Sequence, residues 1–130
     1  MTSNDSTHAD PLSTTLRGLA LGRIVLGTAA LAAPHRLGRA FGFRLAPESV
    51  YLTRIFGARA IALGLGYLTA PIADRRRWQR VALLVDFIDT VHGTGHLARG
   101  DVPRSAAATM VAMTGTYMAL GATRFALDIR

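Results

Sequence analysis

The residues whose types and spacing could do chemistry lie together in Val81–Ala98, VALLVDFIDTVHGTGHLA, where Asp86, Asp89, His92 and His96 interrupt an apolar run. On a helix of about 100° per residue these four groups share an arc of about 120° with Gly93, while Leu83, Leu84, Phe87, Ile88 and Val91 take the opposite side. A carboxylate one turn from an imidazole can pass a proton, so Asp89 and His92 form the candidate catalytic couple. His92 and His96, one turn apart, have the spacing of a metal site with Asp89 as third ligand. Nearby arginines would repel a divalent cation, so neither a metal nor another cofactor is expected.

Charges on one face of an apolar helix are costly to bury alone, so other helices must bring partners. The candidates are Arg23, Arg54 and Arg59, which stand inside two further apolar stretches. If the helices alternate in direction, Arg23 falls level with Asp89, Arg59 with about His92 and Arg54 with about Leu97. Two readings of the resulting network stay open. In one, Arg23 and Arg59 pair with Asp86 and Asp89 and fix the register of the helices. In the other, Arg23, Arg54, Arg59, Asp86 and His96 line a pocket for a lipophilic acid or carbonyl compound, and Asp89 with His92 moves protons.

The stretches 18–33, 50–73, 81–98 and 105–123 make up more than half of the chain, yet carry only five charges: Arg23, Arg54, Arg59, Asp86 and Asp89. A soluble bundle would lay charge along each helix, whereas a membrane protein keeps charge in the connections. The composition agrees, with 50% hydrophobic and 18% charged residues, arginine as the sole basic residue besides histidine, and Glu48 as the sole glutamate. The fold expected is therefore all-α, a four-helix transmembrane bundle over residues 17–130, behind a polar, disordered tail at residues 1–16. A soluble helical bundle is the alternative, because only the last stretch is free of charge over the length a bilayer needs.

The net charge of +7 comes from short arginine clusters between apolar runs, without interleaved aromatics or a DNA-binding motif. Anionic lipid headgroups account for it, and nucleic acid is excluded as a partner. With no cysteine, disulfides and thiol chemistry are absent. Nucleophilic triads and phosphate-binding glycine loops are absent too, since HGTGH lies within a helix rather than after a strand.

Several local features refine the picture. The first stretch ends in LAAP, but it lacks a basic start and contains Arg23, so it reads as an uncleaved span. Gly18 and Gly22 form a GxxxG, and Ala58, Ala62 and Gly66 recur every four residues; both patterns suit close helix approach. Residues 35–48, HRLGRAFGFRLAPE, form a connection able to lie on the membrane surface, and residues 74–80 form a second, arginine-rich loop ending near Trp78. Arginine counting gives seven residues on the side of both termini against five on the other, so both termini are expected in the cytoplasm. Small-residue faces without a large soluble domain suit a homodimer or an accessory subunit of a larger membrane complex.

The first stretch closed by Pro34, the AFGF segment at Ala40 to Phe43, RIFGARAIALG at Arg54 to Gly64, and the acid-bearing third helix together resemble a family. It comprises uncharacterised small four-helix membrane proteins of actinobacteria, grouped as a domain of unknown function, with a more distant similarity to DoxX-like proteins. The resemblance spans about residues 16–125. It implies a fold and a membrane location and brings no activity with it.

Overall fold

A computed structural model describes residues 10–130, and these are helical throughout apart from short connections. The helices are α1 (Pro11–Ala32), α2 (Pro34–Ala40), α3 (Pro47–Thr69), α4 (Ile72–Arg99) and α5 (Arg104–Asp128). All five prolines of the chain stand at a helix start: Pro11, Pro34 and Pro47 in the first turn of α1, α2 and α3, Pro71 and Pro103 at the N-caps of α4 and α5. A proline lacks the N–H that a first turn leaves unbonded in any case, and its fixed φ suits helix initiation. At α1 the Asp10 carboxylate also accepts from the Leu12 amide at 3.2 Å. Helix α4 ends on Gly100 in the left-handed conformation, φ 67°, where a side chain would be strained.

These starts move three boundaries. The tail expected at residues 1–16 gives way to helix from Pro11, because the Asp10–Pro11 cap starts α1 early; residues 1–9 lie outside the described residues. The arginine cluster expected in a loop at 74–80 lies in the first turns of α4, where good helix formers follow Pro71 and only the cap of α4 separates it from α3's end at Ala70. Residues 35–48 hold all but the first residue of a seven-residue helix, α2, followed by a turn at Gly42, φ 84°.

The four long helices alternate in direction and associate as two tightly packed pairs. In the pair α1–α3 the backbones nearly touch. A Cβ added to Gly27 would stand 2.5 Å from the Gly57 carbonyl oxygen, one on Gly57 would stand 2.6 Å from that of Gly27, and one on Gly64 would stand 2.6 Å from that of Ala20. The close-approach surface is thus Ala20, Gly27 and Ala30 against Gly57, Ala60 and Gly64. Neither small-residue pattern singled out in the sequence supplies it. Gly18 meets nothing, Gly22 faces Tyr117, Ala58 and Ala62 are exposed, and Gly66 receives the Trp78 ring. The period was right and the phase wrong, since Gly57, Ala60 and Gly64 recur on the neighbouring face of α3. In the pair α4–α5, Gly121 lies against Leu83 and Gln79, and the Thr90 hydroxyl donates to that of Thr114 at 3.0 Å.

The interior is built of small and polar residues. Besides the glycines it contains Ala20, Ala30, Ala60, Ala107, Leu16 and Leu63 together with Gln79, Asp86 and Thr114, while Val25 is 70% exposed, Leu84 58% and Phe87 55%. Large apolar residues point outward along α1, α3 and α4, and on α5 at Phe125 and Leu127 in its last turn. Among the described residues one helix, α1, combines sufficient length with a stretch of mean hydropathy 1.3, as a membrane span requires; α3, α4 and α5 have the length without that hydropathy.

The packing generates a test. Gly27→Ala and Gly57→Ala force a methyl group into a facing backbone, so each should lower stability by about 1–3 kcal/mol in thermal unfolding of the purified protein. Gly18→Ala, with open space around it, should leave stability unchanged or slightly higher.

Candidate functional site

Where the two helix pairs meet, the contact is made by charges. Arg23, half-way along α1, reaches the Asp86 carboxylate of α4, and both side chains are largely withdrawn from solvent. The Arg23 guanidinium also lies over the Tyr117 ring of α5, 4.2 Å from its centre, and the Tyr117 hydroxyl donates to the Leu19 carbonyl at 3.3 Å. Gly22 makes room for it: a Cβ there would come within 3.0 Å of the hydroxyl oxygen. Arg23 of α1, with Tyr117 of α5 stacked on it, thus closes on Asp86 of α4, which is only 3% exposed. A carboxylate so deeply placed needs an opposite charge, and the arginine in turn gains from the face of an aromatic ring.

A second pair lies one turn further along α4. Arg59 of α3 donates to Asp89 at 2.6 Å, with more exposure on both sides, and its guanidinium stands 5.5 Å from the Phe56 ring. Both cations therefore come from the first helix pair and both acids from the second. Cavities of about 40 and 20 Å³ flank Asp86, and both touch Arg23 and Tyr117.

The other candidates separate from this centre. The His92 side chain is outside the seam: the residue is exposed and its Nδ1–H donates to the Ile88 carbonyl of its own helix at 2.9 Å. The Asp89–His92 couple is therefore not assembled, because Asp89 turns toward α3 while His92 turns outward. His96 joins a surface cluster at the end of α4, where its Nδ1 lies 2.8 Å from Asp101 Oδ1 and Arg99 Nε donates to Asp101 Oδ2 at 3.0 Å. The His96 imidazole, and then the Arg99 guanidinium, hold the Asp101 carboxyl below its usual range. Asp89, His92 and His96 thus face three different neighbours rather than a common point. Arg54 is exposed and forms no ion pair among the described residues.

Gln79 is a site residue that the search for charged groups passed over. It is 6% exposed, and its Nε2 donates to the Gly121 carbonyl at 2.7 Å. The signal was present, since Gln79, Asp86 and Gly93 recur every seven residues on one face of α4. Other residues form a polar cluster at the end of the bundle where α1 begins and α5 finishes. There Arg124 donates to Asp10 at 2.7 Å and to Asp128 at 3.0 Å.

The chain matches no family model, no curated protein and no solved structure. Its functional reading rests on this geometry.

The pairing predicts unequal costs. Arg23→Gln and Asp86→Asn should each destabilise the fold by about 3–5 kcal/mol, because each strands a buried charge, and the double variant should regain much of the loss. The same cycle at Arg59 and Asp89, where the side chains are more exposed, should show smaller losses and weaker coupling in thermal unfolding.

Proposed function

We propose that this chain is a multi-pass integral membrane protein in which α1, α3, α4 and α5 span the bilayer, and that the Arg23–Asp86 and Arg59–Asp89 pairs hold its two helical halves in register. Its role in this reading is structural, as a small membrane module that associates with itself or serves a larger complex. The observation that carries it is the inverted distribution of residues: glycine, alanine and charge within, large apolar side chains without. In water such a surface would cost most of the hydrophobic gain of folding, whereas lipid is its natural solvent. Association through small residues and buried polar contacts is how helices pair where lipid removes the hydrophobic drive. The resemblance to the actinobacterial four-helix family, and the placement of both termini in the cytoplasm, belong to the same proposal. The start of α1 and the end of α5 lie at one end of the bundle, as the Arg124–Asp10 contact requires.

Fractionation of expressing cells tests this reading. The protein should stay with the membranes through high-salt and carbonate washes and need detergent for release. Recovery as a monomer in the soluble fraction would replace it with a soluble helical bundle.

A second reading, a pocket for a lipophilic acid or carbonyl compound, is favoured by one observation. An apolar cavity of about 290 Å³ lies between α2, α3 and α5, and three of its wall residues, Leu26, Phe56 and Met113, also wall the small cavity beside Arg59 and Asp89. An apolar body in the larger space would direct a polar head toward Arg59. A thermal-shift screen of fatty acids, quinones and isoprenoids should then find compounds that raise the melting temperature of the wild type but not of Arg59→Gln. If no compound raises it, the structural reading stands alone.

A further inference from the structure

Two buried oxygens have no hydrogen-bond partner among the described residues, Gln79 Oε1 and Asp128 Oδ2, and both residues line the same space. That space is an outer cavity of about 300 Å³ at the end of the bundle where α1 begins, bordered by Asp10, Ser13, Arg75, Arg76 and Arg124. An inner cavity of about 40 Å³ continues from it toward the middle of the bundle, touching Arg23, Asp86 and Tyr117. Leu16, Tyr67 and Gln79 belong to the walls of both. Gln79 thus stands at the junction, its amide nitrogen tied to Gly121 and its oxygen unspent.

An orphaned acceptor in a polar cavity calls for a donor, and the smallest one available is water. A water needs about 10–15 Å³ of accessible space and two to four polar partners. The inner cavity offers both, since Gln79, Arg23, Asp86 and Tyr117 all line it. On the far side of that pair the cavity of about 20 Å³ takes in Arg59, Asp89 and Thr114, and the space that shares its Leu26, Phe56 and Met113 walls is the apolar cavity of about 290 Å³, which gives water little to bind.

We propose that Gln79 marks the neck of a one-sided aqueous vestibule, through which water from the Arg75–Arg124 end of the bundle reaches the Arg23–Asp86 pair and ends within the charged seam. The site binds a short file of water and puts Asp86 in proton exchange with one face of the membrane. This rests on the membrane reading above, since one-sided access has meaning only across a bilayer.

The absence of native cysteine makes the route directly testable. Single variants Ser13→Cys at the rim, Leu16→Cys at the neck, Ala82→Cys in the inner cavity and Val25→Cys on the outward face would be placed in sealed vesicles. The vesicles, oriented with the Ser13→Cys site accessible, would be exposed to Ag+ in nitrate buffer. Protection of each thiol from a permeant maleimide, read after denaturation, reports contact with the ion. The expected result is protection of Ser13→Cys, Leu16→Cys and Ala82→Cys and none of Val25→Cys. Protection confined to Ser13→Cys, or ending at Leu16→Cys, overturns the vestibule and leaves the membrane reading standing. Protection of Val25→Cys as well overturns the membrane reading, and the vestibule with it.

Discussion

The fold depends on one buried ion pair. Helices α1 and α3 pack backbone to backbone, and α4 and α5 pack through small and hydroxylated residues, while the two pairs meet through the Trp78 ring on Gly66 and through charges. Arg23 and Asp86 occupy that junction, with Tyr117 stacked on the arginine. A buried charge pair adds little net stability over a well-packed apolar contact, yet breaking it is severe, because the survivor is left without a counter-charge. The seam therefore behaves as a register device. It tolerates one arrangement of the two halves and penalises sliding or rotation, which would separate the charges before any other contact could compensate.

Small residues at the core explain why polar groups can decide the arrangement. With no large side chain fully enclosed anywhere among the described residues, the interior offers little volume-filling specificity of the kind that branched aliphatic residues provide. Close backbone approach supplies dispersion contacts within each pair, and directional interactions supply the choice between pairs. The hydroxyls follow the same logic. Thr90 Oγ1 lies 2.7 Å from the Asp86 carbonyl oxygen and 3.0 Å from the Thr114 hydroxyl, so the turn that carries the aspartate is tied to α5.

Much of this was legible in the sequence, and the misses have physical causes. Four long helices follow from the lengths of the apolar stretches, and depth matching along alternating helices brings Arg23 and Arg59 to the acids of α4. It sets each about one turn too far along α4, level with Asp89 and His92 where the observed partners are Asp86 and Asp89. Helical rotation was harder to read. Asp86 and His92 lie about 120° apart on a wheel, and an arc that wide spans both the seam and the outer surface of α4. A histidine can also satisfy itself on the preceding turn, as His92 does with the Ile88 carbonyl, so its polarity does not oblige it to face inward. In α3 the small-residue period was visible, but alanine and glycine occur on adjacent faces and composition does not choose between them. Gln79 was missed for another reason: an uncharged amide in an arginine-rich segment resembles surface, and only its sevenfold relation to Asp86 sets it apart.

The sorting of charge by half has a consequence for assembly. Every seam cation belongs to α1 or α3 and every seam acid to α4, so each half is self-repelling along this surface and complementary to the other. Two copies of the first half could not dock through it, nor two copies of the second. A first half can instead accept the second half of its own chain or of another. Opposite signs along the seam thus disfavour the pairing of like halves and suit the pairing of unlike ones.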